Sequence, residues 1–335
     1  MPTTSRGDPL TEPFRRGYRR VIGTTREWAD MGDIVVCCSD GSDVSTRAIR
    51  AGLALLDRQR WQVVLAISVP EVTYEISDGV VPGTGPGVTP ATLGLPHLPR
   101  NVVKEQEQLI DMGVSRARGV ADQLGLDESC IEVLVGKPGP VLVDYLREKE
   151  AGLAVLGTRG LGGAARLFLG SVSDHVLQHS PCPVLVGGEE LPAEPTGPIV
   201  LCVDESERSV EAGRIAVGLF APDLPAAVAM VRPVPDVELG NGVIAEDLRR
   251  SWAEQADQVL TAAATAIAVP DTELVALDGA EPAHALAAYA KEHPVRCFVV
   301  GSHGRGAVGR AMLGSVATRL VKLSPAMVCV VPRRK

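Results

Sequence analysis

The chain says one thing twice. Gly157-Thr-Arg-Gly160, nine residues, then Gly170-Ser171 recurs as Gly301-Ser-His-Gly304, nine residues, then Gly314-Ser315. The likeness extends beyond the glycines: Leu169–Val172 matches Leu313–Val316, Arg166 matches Arg310, and Ser180-Pro181 matches Ser324-Pro325. Each copy then enters an apolar segment, Val184–Val186 or Val328–Val330. Repetition at this fixed spacing marks a duplication, so the unit of fold must be built twice.

Around each copy the pattern alternates between short apolar runs and helical periodicity. Ile34–Cys38, Val63–Ile67, Ile131–Val135, Leu153–Leu156 and Val184–Val186 read as buried strands. Helical stretches from Ser45 to Leu56, Val102 to Leu124, Val141 to Lys149 and Ser171 to His179 lie between them. The second half replays this order. Ile199–Val203, Ala227–Val231, Glu273–Leu277, Cys297–Val300 and the closing Val328 run are strands, and helices end at Phe220, Ile267 and Glu292. Strands alternating with helices predict a parallel sheet with helices on both faces. Ser77–Pro99, rich in Gly, Pro and Thr, reads as an irregular insertion. It explains why Asp40 and Asp204 are offset by 164 residues while the glycine motifs are offset by 144.

A division follows: an Arg-bearing arm over 1–31, a first domain over 32–189, a Pro/Gly/Glu linker over 190–198, and a second domain over 199–335. At 335 residues the chain is long enough for two domains with separate cores. The net charge of −8 argues against a nucleic-acid partner, which needs a basic face to displace counterions. No apolar run approaches a bilayer span, and no apolar segment follows the N-terminal arginines as a signal peptide requires. The seven cysteines form no C-x-x-C pair, and most sit in strand-like runs where Cys acts as a small hydrophobe. That pattern predicts a reduced, cytoplasmic setting.

The repeated motif has the chemistry of a phosphate cradle. A phosphate needs backbone N–H groups aimed at it with no side chain between, which glycine permits. Gly170-Ser171 and Gly314-Ser315 would open helices whose positive dipole ends face the ligand, each serine capping its helix or binding a phosphate oxygen. It is neither a Walker A loop nor a Rossmann fingerprint: Gly-Lys-Ser/Thr is missing, and the glycines follow a late strand rather than the first.

These residues resemble the universal stress protein family, whose ATP-binding signature is Gly-x-x-Gly, nine residues, Gly-Ser. The Ile34–Asp43 run, the Gly136-x-Pro138 and Gly279-x-x-Pro282 turns, and the Ser-Pro-x-x-Val-x-Val endings are similar as well. The resemblance covers about 32–189 and 199–333. It implies two tandem Rossmann-like domains of the adenine nucleotide alpha hydrolase-like type, each a five-stranded parallel α/β sheet. Carried over by position, Asp40 and Asp204 approach the adenine or ribose side of ATP, and Ser68 and Val231 meet adenine through their backbone. Gly157, Arg159, Gly160, Gly170, Ser171, Val172 and Ser173, with Gly301, Gly304, Gly314, Ser315 and Val316, would hold ribose and phosphates. Ser173 is matched by Ala317, so the second site would have one hydroxyl fewer. Gly152 and Arg296 stand where the family usually has an aspartate. The family's last strand pairs across a dimer interface, which in a tandem chain implies pairing of Val184–Val186 with Val328–Val331 and leaves a homodimer open.

The resulting expectation is an ATP-binding regulator of stress or growth, with Mg2+ carried on the phosphates, one nucleotide per half, and protein partners unnamed. No Ser/His/Asp or Cys/His arrangement repeats, so hydrolysis is expected to be weak at most. A slow ATPase or a nucleotidyl or phosphoryl transferase is the enzymatic alternative, and a cyclic AMP sensor or scaffold the other. His303 is expected to be non-catalytic. His175 and His179 have a metal-compatible spacing without a third ligand. The insertion at 77–99 is a candidate lid over the first site.

Overall fold

The strand runs are dominated by Val, Ile and Leu without polar alternation, the composition of strands buried on both faces. The computed structural model describes residues 32–72, 100–158, 169–192, 194–232, 242–269, 272–303 and 313–333. The N-terminal arm and the 77–99 segment lie outside these residues. In the first half, β1 (Ile34–Ser39), β2 (Gln62–Val69), β3 (Ile131–Val135), β4 (Leu153–Gly157) and β5 (Val184–Gly187) alternate with helices α1 (Asp43–Leu53), α2 (Arg100–Leu124), α3 (Pro138–Glu148) and α4 (Ser171–His179). The second half repeats the order: β6 (Ile199–Val203), α5 (Glu207–Leu219), β7 (Ala226–Arg232), α6 (Gly242–Ile267), β8 (Glu273–Asp278), α7 (Pro282–Glu292), β9 (Cys297–Gly301), α8 (Ser315–Leu323) and β10 (Met327–Val331).

The ten strands among the described residues form one sheet, ordered β3-β2-β1-β4-β5-β10-β9-β6-β7-β8. Within each half the pairing is parallel. The halves meet edge to edge where β5 runs antiparallel to β10, with Val186 opposite Val328, Leu185 opposite Cys329 and Val184 opposite Val330. This is the pairing that the family resemblance implied for the two final strands.

The sequence predicts two separate cores, and the structure does not have them. Side chains alternate across a strand, so consecutive residues enter opposite layers. One buried cluster, on the α1, α2, α5 and α6 face, includes Cys37, Leu185, Leu201 and Cys329; the other, on the α3, α4, α7 and α8 face, includes Cys38, Val184, Val186 and Val328. Each layer crosses the seam and draws on both halves. The seam is reinforced below the sheet: Trp61 Nε1 donates to Leu219 O at 3.2 Å, Ala221 N donates to Leu55 O at 2.9 Å, and Arg60 donates to Gly218 O. Division by sheet face follows from strand continuity: an edge paired to another edge leaves no boundary at which a core could stop.

Candidate functional site

In each half the chain winds outward from the first strand to the third, then returns to add the fourth strand on the other side. The order therefore reverses between β1 and β4, and between β6 and β9. At such a point two adjacent loops diverge beyond the carboxyl ends of the strands and leave a crevice. The loop after β1 carries Asp40 and the loop after β4 carries Thr158; their counterparts are Asp204 and Ser302.

The first of these loops is a serine-aspartate knot in both halves. Asp40 Oδ1 accepts from Ser42 N at 3.1 Å and from Ser42 Oγ at 2.7 Å. Ser42 in turn caps α1, accepting from Ser45 N at 3.2 Å, while Ser39 Oγ accepts from Gly41 N at 3.0 Å and lies 3.0 Å from Ser45 Oγ. Asp204 repeats the arrangement with Ser206 N at 3.2 Å and the Ser206 hydroxyl, and Ser206 caps α5 through Ser209 N at 3.2 Å. One carboxylate oxygen of each aspartate therefore has a fixed position. The sequence places a helical start at Ser45, but it does not show the knot as a whole. Its signal was available: an Asp followed two residues later by a Ser ahead of a helix, in both halves.

The residue between aspartate and capping serine takes positive φ in both copies, 86° at Gly41 and 66° at Glu205. At Gly41 an added Cβ would stand 2.4 Å from Arg116 Cδ, so the arginine stem of α2 lies across the loop of the first half. Nothing in the sequence marks Arg116, an exposed helix residue.

The second loop ends in a bare helix. Gly170 and Gly314 are the N-cap residues of α4 and α8, with φ near −60° and no side-chain cap. Ser171 and Ser315 are thus the first helical residues, and neither caps its helix as the sequence suggested. Both are exposed. Each N-cap glycine donates back to the strand exit, Gly170 N to Thr158 O at 2.8 Å and Gly314 N to Ser302 O at 2.7 Å. A Cβ on Gly314 would stand 3.0 Å from Ser302 O, so the close approach itself calls for glycine. The uncapped first-turn N–H groups belong to Ser171, Val172 and Ser173, and to Ser315, Val316 and Ala317. Such a turn carries about half a positive charge and stabilises an anion by about 0.3–1 kcal/mol at an exposed site.

Ser173 has a different task from the one its position suggested. It is buried, and its hydroxyl donates to Gly157 O at 2.7 Å, tying α4 to the end of β4. Gly157 and Gly301 end their strands, and Ser68 and Val231 stand one residue before the ends of β2 and β7, paired with Leu134 and Leu277. Arg159, Gly160 and Gly304 lie outside the described residues, as do Arg166, Arg305 and Arg310. His175 and His179 stack with ring centroids 4.3 Å apart, and burial first, then His179, lowers the pKa of His175. Among the described residues no group of three or more metal-ligating side chains gathers there or elsewhere.

Fold and site together define a class: a tandem, doubly wound α/β chain with an uncapped helix end and an aspartate knot at each switch point. The chain belongs to the universal stress protein family, whose model matches residues 31–186 and 196–332. Among curated proteins, a universal stress protein of Mycolicibacterium smegmatis is 31% identical over 202 residues, covering 56% of this chain and 63% of its own length. One from Mycobacterium tuberculosis is 29% identical over 254 residues, covering 70% of this chain and 80% of its own. The chain thus spans rather under two thirds of the first relative and most of the second. Among solved structures, a universal stress protein from Archaeoglobus fulgidus superposes with a TM-score of 0.53 at 16% identity, over 90% of this chain and 99% of that one, a likeness of fold. No helix among the described residues is long and apolar enough to cross a membrane.

Proposed function

We propose that this protein binds an adenine nucleotide, ATP with Mg2+ carried on its phosphates, at one site in each half, and serves as a nucleotide-dependent regulator of stress or growth. The observation that carries this reading is the pair of uncapped helix N-termini behind Gly170 and Gly314, both at switch points of the sheet. Bare N–H groups at a helix start fit a phosphate, and the N-cap glycines place no side chain of their own over them. Asp40 and Asp204, pinned by their serines at the neighbouring loop, supply acceptors suited to ribose or adenine donors.

The chain's own residues bind and orient; the output is a change of shape. A ligand bridging the aspartate loop and the helix start would order both, altering the surface offered to a protein partner. All seven cysteines are free, which supports a reduced, cytoplasmic setting.

Denaturing freshly purified protein and counting the nucleotide released tests this directly. One or two ATP per chain is the expected result, and Gly160→Glu combined with Gly304→Glu should reduce it to none while leaving the circular dichroism unchanged. Undiminished ATP in the double variant would sink the site, and ADP alone would shift the reading to a hydrolase.

A further inference from the structure

The two cradles are built on one plan, but the second contains a side chain whose hydrogen bonds do not close. Ser302, buried at the exit of β9, accepts from Arg333 N at 3.1 Å and lies 2.9 Å from His303 Nδ1. His303 Nε2 is buried and has no partner among the described residues. The tautomer that leaves the fewest groups unpaired puts the imidazole hydrogen on Nε2. Ser302 Oγ already accepts from Arg333, and among the described residues its own hydrogen has one acceptor, His303 Nδ1. Nδ1 is then the acceptor nitrogen and the hydrogen is on Nε2, as a buried donor facing no acceptor. Native structures rarely leave such a group unanswered, so each instance calls for an explanation.

The position supplies one. Gly314 N donates to Ser302 O at 2.7 Å, and a Cβ on Gly314 would stand 3.4 Å from His303 Cα. The orphaned donor therefore belongs to the residue against which the uncapped N-terminus of α8 is seated. That first turn holds no acidic residue, whereas α4 carries Asp174 in the corresponding turn. The first half has Thr158 and Arg159 in place of Ser302 and His303, so it has no imidazole here.

We infer that His303 Nε2–H is a ligand donor reserved for an anionic phosphate oxygen in the second site, and that Ser302, anchored by the backbone of Arg333, is the positioning residue that holds it in that tautomer. This rests on the nucleotide reading and deepens it, because it makes the two sites unequal. The second site reads the ligand through a directed hydrogen bond, and it is wired to the strand that forms the seam. Arg333 lies two residues beyond Val331, the end of β10, so movement of that strand end would release the serine and with it the tautomer.

The test uses the full chain with the first cradle blocked by Gly160→Glu, titrated with ATP and Mg2+. His303→Phe should weaken binding about tenfold or more, the worth of a charge-assisted hydrogen bond, and His303→Gln, which keeps an N–H donor, should recover part of the loss. Nitrogen-15 spectra of histidine-labelled protein should show His303 protonated at Nε2 before ligand and shifted there on saturation. Ser302→Ala should mix the tautomers, and Ser302→Thr should restore one. Unchanged affinity in His303→Phe, or an Nε2 signal that stays still as ATP saturates the parent, would overturn the inference. If the parent binds no ATP, the nucleotide reading fails, and tripolyphosphate becomes the probe for the labelled protein. A shift at Nε2 would then sustain the phosphate donor, and none would end it too.

Discussion

Ala268 closes α6 at φ 70°, in the left-handed region, while Gly125 does the same for α2 at φ 64°. The hydrogen bonds are matched: Leu126 N to Ala121 O at 2.9 Å in one half, Val269 N to Ala264 O at 2.9 Å in the other. Both are helix ends of the kind that favours glycine, since a Cβ there crowds the following carbonyl. No atom lies within 4 Å of a Cβ added at Gly125, so its replacement costs backbone strain alone. Ala268→Gly is therefore expected to stabilise the protein by about 1 kcal/mol and Gly125→Ala to destabilise it by about the same, read as opposite shifts of the urea midpoint. The same scale explains Gly152, where the family usually has an aspartate. A Cβ there would stand 2.2 Å from Gly32 O and 2.9 Å from the Trp61 ring, so the indole has taken the space a side chain would need. Arg296, at the matching point, instead donates to Gly197 O at 2.8 Å.

At the scale of elements, the helices that carry the site begin in two ways. α1 and α5 are capped by Ser42 and Ser206, and α4 and α8 are left bare. The difference sets an ordered loop beside a helix start whose first N–H groups have no side-chain cap. Ser42→Ala is expected to cost about 1 kcal/mol of stability, the usual worth of an N-cap. It also frees Asp40 Oδ1 from its 2.7 Å partner, so ATP affinity at the first site should fall with it, whereas Ser171→Ala should leave stability unchanged. Parallel calorimetric titration and thermal melts would separate the two effects. An Asp40 loop held by something other than Ser42 would show as a stability loss with full affinity. Element limits were legible in the sequence to within a few residues: β3, α4, β6 and α7 begin and end where the apolar runs and turn residues place them. Local chemistry decides these limits, and the duplication states each one twice.

At the scale of the whole molecule, the two buried layers that cross the seam make the halves one cooperative body. Cys38, Cys182 and Cys329 lie in these layers, and burial pushes each thiol up to about 12. In the unfolded chain a thiol ionises at about 8.5. Below that pH the thiols are neutral in both states and their contribution is complete. Above it the unfolded state alone loses protons, so stability declines as pH rises from about 9 towards 12. Thermal melts should show a single transition whose midpoint falls through that window, with iodoacetamide labelling of these three thiols tracking the unfolded fraction. Two separate transitions would mean that the halves unfold independently despite the shared layers.

Sequence alone determined the duplication, the alternation of strand and helix, the repeated glycine motif and the family, because each is written in residues close together in the chain. Pairing of the last strands was legible too, through the family's habit rather than through any local signal. Tertiary structure decided what depends on residues far apart. It merged two expected cores into layers sorted by sheet face, spent the Ser173 hydroxyl on Gly157 O, and laid Arg116 across Gly41. It also joined Arg333 to His303 through Ser302, across 30 residues of chain. Hydrogen bonds and packing are made by proximity in space, and proximity is set by the sheet order.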